Sequence, residues 1–447
     1  MSATGGNLVR GSETLVPGIS IDTRTLKPNE LYIAIRGKRF DGHSFIPDAL
    51  RAGAVGVVLQ NETAIPVEGI VIKVPDTREA LQQIATAYRR RLNLKVVAVT
   101  GSNGKSTTKE MLATILECRF KVVRAEGSYN NDIGVPLTVL KLNLDTEAAV
   151  FEIEMNELGG TYKLARVCQP QVGVITNIGD THLEFMKDRQ GVACEKQELL
   201  SALPQDGVAV LNADDEAVMA IGRRCGPKER LTFALDKPAD VFAHDVRELG
   251  LDGVQFLLQG EYEIRLKVPG RHNVANCLAA CAAARALGIG FEEMPESLAR
   301  FTGLPMRLQR IQLKGVTLID DCYNANPQSM AEALELLFRN AERRHRLAIL
   351  GDMLELGESS HKLHEEIGRK AGAGVDRLVL IGPESEAAAE AALQAGLNPQ
   401  NLFRFNSSSE VGDVLFDIIR PGDTILVKGS RAMGLELIVQ KIVSHYG

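Results

Sequence analysis

Short β-branched runs recur along most of this chain, each followed by a longer stretch whose apolar positions fall three or four residues apart. A run of four to six residues that is apolar throughout reads as a strand covered on both faces, and such strands belong to parallel sheets. The run Val96-Val97-Ala98-Val99 has this character, as do residues 149–153, 172–178 and 208–211. Helical spacing predicts helices over 80–92, 105–117 and 190–200. After Gly303-Leu304-Pro305 a second series begins, with strands predicted at 316–319, 347–350, 378–381 and 424–427. Between the two series, residues 231–268 alternate apolar with polar around a turn at Asp252-Gly253, which predicts a local antiparallel patch. Residues 1–80 carry shorter runs, 31–35 and 55–59, cut by Gly, Pro and Asp, as in a small α/β unit.

Two strand–helix series imply two doubly wound parallel sheets, and 447 residues exceed what one core supports. The expected fold class is α/β in three domains: a small N-terminal α/β domain over 1–82, a central P-loop parallel-sheet domain over 83–304, and a C-terminal Rossmann-like doubly wound domain over 305–447.

Composition narrows the function classes. A net charge of −6 argues against broad nucleic-acid binding, which needs a basic face to neutralise phosphates. The seven cysteines are scattered without a C-x-x-C pair, the usage of a reducing compartment. Cys277 and Cys281, one helical turn apart in an Ala-rich run, read as small core residues. No basic-then-apolar leader opens the chain, and no stretch reaches the roughly 20 apolar residues of a membrane span. A cytoplasmic monomer is expected.

Candidate chemistry starts after the strand at 96–100, where Gly101-Ser102-Asn103-Gly104-Lys105-Ser106-Thr107 leads into a helix. Glycines let backbone N–H groups close around phosphate oxygens, and the helix start adds its positive end. Gly101, Asn103, Gly104, Lys105, Ser106 and Thr107 are therefore expected to hold ATP, with Lys105 on the β- and γ-phosphates and the Ser106 hydroxyl on Mg²⁺. The full G-x-x-x-x-G-K-[ST] pattern wants glycine where this chain has Val99. Glu154, His182 and Lys196 lie just beyond predicted strands or in a following helix, at the carboxyl ends where open α/β sheets bind ligands. Taken singly, a Glu or His there is more often a loop residue, and a Lys between glutamates is usually a solvated helix face.

The shortened loop Thr-Gly-x-x-Gly-Lys-[Ser/Thr] resembles that of the Mur ligase superfamily, the ATP-dependent amide-bond ligases of peptidoglycan synthesis, to which the folylpolyglutamate synthetases are related. The resemblance implies catalytic roles for Lys105, Glu154, His182 and Lys196. Glu154 would bind one Mg²⁺ and His182 a second, with Ser106 and a carbamylated Lys196 completing the metal set, the lysine matched through Lys196-Gln197-Glu198. Asn273 and Asn276, in Gly270-Arg271-His272-Asn273-Val274-Ala275-Asn276, match asparagines near the adenine, and Arg307 an arginine that reaches ATP phosphate from the interdomain hinge. Asp320-Asp321-Cys322-Tyr323-Asn324-Ala325-Asn326-Pro327 follows a buried strand, where a carboxylate can accept from ribose hydroxyls. Asp320, Asp321, Tyr323, Asn324 and Asn326 are accordingly expected at ATP.

That turn, with Gly351-Asp352-Met353-Leu354-Glu355-Leu356-Gly357 and Val427-Lys428-Gly429-Ser430-Arg431, is similar to the superfamily branch that adds D-Ala-D-Ala. The implied reaction joins D-Ala-D-Ala to UDP-MurNAc-tripeptide through an acyl phosphate. Its expected substrate residues are Thr23, Arg24, Asp41, Gly42 and His43, in motifs like those of the UDP-binding domain, together with Asn130, Asn131, Asp352, Lys428 and Ser430. Another Mur-type or folyl ligase, or an ATP-binding regulator without ligase activity, remains open at this point.

Overall fold

The computed structural model describes residues 3–12, 14–37, 40–60 and 69–447. Three sheets follow one another along the chain. The first has five strands in the order Asn7–Arg10, Ile70–Lys73, Gly56–Leu59, Leu31–Ile33, Ile19–Ser20. All neighbours are parallel except the outer pair Asn7–Arg10 and Ile70–Lys73. Helix Thr77–Arg89 covers this sheet and leads out of it. Asp76 caps the helix by accepting from the N–H groups of Arg78 and Glu79.

The second sheet has nine strands. Its parallel portion runs Val122–Arg124, Ala148–Glu152, Lys95–Thr100, Val172–Ile175, Val208–Asn212, Glu229–Ala234, Val241–Glu248. Strands Val254–Leu258 and Tyr262–Leu266 then add antiparallel. The antiparallel patch expected over 231–268 is therefore smaller than its sequence pattern: Glu229–Ala234, exposed at its start and buried at Phe233 and Ala234, pairs parallel on both sides. Helix Arg271–Ala286 lies buried across this sheet against helix Lys105–Leu116. Its small residues permit that close approach. Cys277 and Cys281 are inside this core with their sulfurs 4.0 Å apart.

The third sheet has six strands, Gln309–Leu313, Val316–Asp321, Thr424–Lys428, Arg346–Gly351, Arg377–Ile381, Leu402–Phe405, parallel except for the first. Helix Pro327–Asn340 starts beside the phosphate loop. Asn326 caps it by accepting from Ser329 N–H at 2.9 Å, while its own N–H donates to Ser329 Oγ at 3.1 Å. The Asn326 amide also donates across the domain boundary to Asn103 Oδ1 at 2.7 Å. Asn326→Ala should lower the unfolding free energy by about 1 kcal/mol, the usual worth of such a cap, read from the urea midpoint. Among the described residues no helix is long and apolar enough to cross a membrane.

Candidate active site

Strand Lys95–Thr100 sits between Ala148–Glu152 and Val172–Ile175, so the loop after it opens where three parallel strands end together. Val99 is part of this strand, fully buried and paired with Glu152 and Val174. The pattern's first glycine is missing because the strand runs on through that position. Two glycines of the loop are required by contact. At Gly101 (φ +144°) an added Cβ would lie 2.0 Å from Thr176 Oγ1, and at Gly104 (φ +79°) 2.0 Å from Asn276 Oδ1. The loop is held from the next strand's end: Thr176 Oγ1 donates to Asn103 O at 2.6 Å, Asn103 N–H donates to Asn177 Oδ1 at 2.8 Å, and Gly179 N–H to Ser102 Oγ at 2.7 Å.

Lys105 is buried, donates to Gly101 O at 2.8 Å and pairs with Glu154 Oε1 at 2.6 Å. Glu154 is the hub. Besides Lys105 it meets His182 Nε2 at 3.2 Å and accepts from the Asn130 amide at 3.0 Å. Burial pushes the Glu154 carboxyl up, but Lys105, then His182, then Lys196 outweigh it and hold it well below the ordinary 4.5. Burial pulls the His182 imidazole down, and hydrogen bonds to Glu154 and Glu355 reverse this, raising it to about 9.

Lys196 is wholly buried in helix Arg189–Ser201. Its ammonium lies 2.6 Å from Glu195 Oε2, yet off the angle a hydrogen bond needs, so its donors stay unsatisfied. A second unsatisfied atom is Glu152 Oε2. Glu152 is buried in strand Ala148–Glu152, and its other oxygen accepts from the same Asn130 amide that serves Glu154, at 2.9 Å.

Two adjoining cavities run from this point into the junction with the C-terminal sheet. The smaller, about 120 Å³, is lined by Lys105, Ser106, Thr107, Glu152 and Glu154 on one side and by Arg307, Asp321, Tyr323, Asn324, Asn326 and Lys428 on the other. Arg307 donates to Ser106 Oγ at 2.9 Å and its guanidinium lies 4.2 Å from the centre of the Tyr323 ring. Lys428 pairs with Asp321 at 2.7 Å. The larger cavity, about 610 Å³, shares Asn103, Gly104, His272 and Asn276 with the first and continues past Asn212, Phe233 and Leu336. The asparagines are ordered by each other, Asn276 donating to Asn273 Oδ1 at 3.1 Å and Asn273 to Pro269 O at 2.7 Å.

The remaining expected residues lie elsewhere. Asp320 does not line either cavity. One place earlier in the strand than Asp321, it shares the opposite face with Leu318, is bonded to Cys322, and burial raises its carboxyl. Asp352 turns inward to accept from Glu384 N–H at 3.1 Å, and Ser430 Oγ accepts from Leu354 N–H at 2.9 Å, so each ties its loop to a neighbouring loop of the same domain. In the first domain Arg24 is exposed and paired with Asp22, with Thr23 between them. Asp41 pairs with His43 Nδ1 at 2.6 Å, and His43 Nε2 accepts from Gln60 N–H at 3.0 Å, leaving both ring nitrogens occupied. Gly42 has no room for a side chain, since a Cβ would lie 2.7 Å from Ile35 N and O. The apolar cavity of about 650 Å³ in this domain is lined by Leu8, Val16, Ile19, Ile72 and Tyr88, and not by these residues. Asn131 accepts from Ile133 and Gly134 N–H groups, opening helix Gly134–Leu140.

Three family profiles match in succession: "Mur ligase family, catalytic domain" over 15–89, "Mur ligase middle domain" over 99–284, and "Mur ligase, glutamate ligase domain" over 306–431. The UDP-N-acetylmuramoyl-tripeptide--D-alanyl-D-alanine ligase of Bacillus subtilis is 36% identical over 435 residues, covering 96% of this chain and 94% of that protein. The enzyme of the same name from Escherichia coli is 33% identical over 97% of this chain and 95% of its own length. The chain belongs to the Mur ligase family. A crystal structure of MurF from Acinetobacter baumannii superposes with a TM-score of 0.89 at 32% identity, covering 99% of this chain and 97% of the other. MurF ligase from Thermotoga maritima in complex with ADP gives 0.82 at 26% identity, over 96% and 97%.

As a Mur ligase the protein is an enzyme of the acid–amino-acid ligase class. Among its described residues no group of three or more His, Cys, Asp or Glu is arranged to hold a metal unaided. The hard oxygens of Ser106, Glu154 and the unsatisfied Glu152 do line one small cavity, which suits Mg²⁺, an ion that keeps waters and takes phosphate oxygens. Carbamate formation would need the Lys196 ammonium first to give up a proton, since only the neutral amine adds CO₂, and the product would face Glu195 as a second anion, so a proton or a cation must accompany it. Sequence reasoning missed Glu152 and Glu355. A lone carboxylate inside the otherwise apolar run 148–153 was the available signal for the first.

Proposed function

We propose that this Mur ligase joins D-Ala-D-Ala to UDP-MurNAc-tripeptide at the expense of ATP, giving UDP-MurNAc-pentapeptide for peptidoglycan synthesis. The observation that carries this reading is the meeting of phosphate loop, buried Lys105–Glu154 pair and Arg307 at one cavity between two domains. The activity for which the Bacillus subtilis and Escherichia coli relatives are named supports the choice of substrates.

A carboxylate is a poor electrophile, and phosphorylation supplies its leaving group. The tripeptide carboxylate oxygen attacks the γ-phosphorus of ATP, the bond to the β-phosphate oxygen breaks, and ADP departs. The dipeptide's neutral amine then adds to the acyl phosphate carbonyl. Inorganic phosphate leaves, and the amine's proton passes to solvent. The protein's work is positioning two anions and offsetting their charge. Lys105 would turn from Gly101 O toward the phosphates, and Arg307 would bring a second cation from the C-terminal domain. Asn273, Asn276 and the larger cavity would take the adenosine end, and Asp321, in the smaller cavity, would accept from ribose. Ser106, Glu154 and His182, supported by carbamylated Lys196, would hold a pair of Mg²⁺ ions, whose charge offsets that on the phosphates. Thr23, Arg24 and the Asp41–His43 turn are assigned to the UDP group, a guanidinium being able to pair a phosphate through two bonds.

With UDP-MurNAc-tripeptide present, coupled ADP release is expected only when D-Ala-D-Ala is added. Equal release without the dipeptide, or with single amino acids in its place, would sink the assignment.

A further inference from the structure

His182 and Glu355 come from different domains and meet in an arrangement that both backbones are bent to make. His182 precedes helix Leu183–Met186 in the central domain, with φ +54°. Glu355 follows strand Arg346–Gly351 in the C-terminal domain, with φ +63°. A residue with a Cβ is crowded in this left-handed region, so a non-glycine held there needs other contacts to keep it. Here the contacts are the two residues' own. His182 Nδ1 bonds Glu355 Oε2, and the Glu355 carbonyl accepts from Glu184 N–H at 3.1 Å. Both facing carboxylates only accept, so the ring as it stands carries a proton on each nitrogen; Glu355 holds the Nδ1 proton, and Nε2, 3.2 Å from Glu154, is the nitrogen left to give up its proton to a cation. Gly357 brings its loop so near Glu184 that a Cβ there would lie 3.1 Å from the Glu184 Cα.

We propose that Glu355 is a positioning residue that couples seating of the C-terminal domain to divalent-cation affinity, by fixing the ring orientation and tautomer of His182. The proposal rests on the reading of His182 as cation-facing. An imidazole that ligates a cation through one nitrogen commonly has its other N–H held by a carboxylate, and loss of that partner costs 10–100-fold in affinity. In this chain the partner arrives from the neighbouring domain. The cation site is therefore complete only with the domains together, and cation binding in turn favours their closed arrangement.

The strained backbone supplies a test that separates this role from mere scaffolding. Glu355→Gly removes the carboxylate and relieves the left-handed position at once. Mn²⁺ serves as the probe, added to the full-length chain with ADP and followed by its EPR signal, corrected for Mn²⁺–ADP formed without protein. E355G should bind Mn²⁺ at least 10-fold more weakly while melting no lower than the unaltered chain. Glu355→Gln, which keeps an acceptor for Nδ1–H, should recover part of the loss. Unchanged Mn²⁺ affinity in E355G alongside weakened binding in His182→Ala would overturn the role of Glu355 alone. Unchanged affinity in both variants would overturn the cation-facing reading of His182 and the proposal with it.

Discussion

Lys105→Ala should reduce D-Ala-D-Ala-dependent ADP release by about 10³-fold, the scale of losing one preorganised charge at a reacting phosphate. The lysine opens the loop helix Lys105–Leu116, its ammonium is almost fully enclosed, and its present partners are Gly101 O and the Glu154 carboxylate. Water that enters the cavity in its place brings no positive charge. The variant should also change the acid limb of stability. A carboxyl held below its ordinary 4.5 stabilises the fold above that pH and loses this contribution as pH falls through the lowered value. Lys105 is the largest influence holding Glu154 down. Without it the contribution should shrink to what His182 and Lys196 still supply, so the stability of K105A should fall less steeply with acid than that of the unaltered chain. Coupled ADP release and melting curves between neutral and acid pH measure the two effects; activity within 10-fold of normal would remove Lys105 from the phosphate-transfer step.

Lys196→Ala is the second large effect, with an expected activity loss of about 10²-fold. Its interest lies in recovery. If the working group at this position is a carbamate, the emptied space should accept formate or acetate, and millimolar amounts should restore part of the rate. If it works as an ammonium opposite Glu195, the same anions should do nothing, while methylamine should help. The variant also strands the buried Glu195 carboxylate, which keeps only its bond from Thr161 Oγ1. A buried ion pair broken from one side typically costs about 3–5 kcal/mol, so activity has to be read at temperatures where K196A is still folded. Full activity in K196A would exclude both roles.

Much of the site was legible because its parts are local. A strand, a glycine turn and a helix start are adjacent in sequence, and Gly101, Gly104 and Lys105 follow from backbone geometry within a few residues. The strand ends that carry Glu154 and His182 were marked by short apolar runs, whose covered faces leave little choice but a parallel sheet. Other features depended on partners far away in the chain. Residues 229–234 alternate like an antiparallel strand, and only the neighbours at 208–212 and 241–248 make them parallel. Asp320 and Asp321 are indistinguishable as a pair in sequence. The two-residue repeat of a strand sends Asp321 to the small interdomain cavity and Asp320 to the opposite face.

By itself, then, the sequence determined the three-sheet α/β plan, the phosphate loop and the strand-end positions of its polar groups, since these rest on periodicity and on turns only a few residues long. The tertiary structure decided which groups act on one another. It brought Arg307 onto Ser106, Glu355 onto His182 and Asn326 onto Asn103 across the domain boundary. It also turned Asp352 and His43 inward to satisfy backbone groups of their own domains. Such pairings join residues up to 223 positions apart, and they are set by how separately folded cores pack, a property no local pattern encodes.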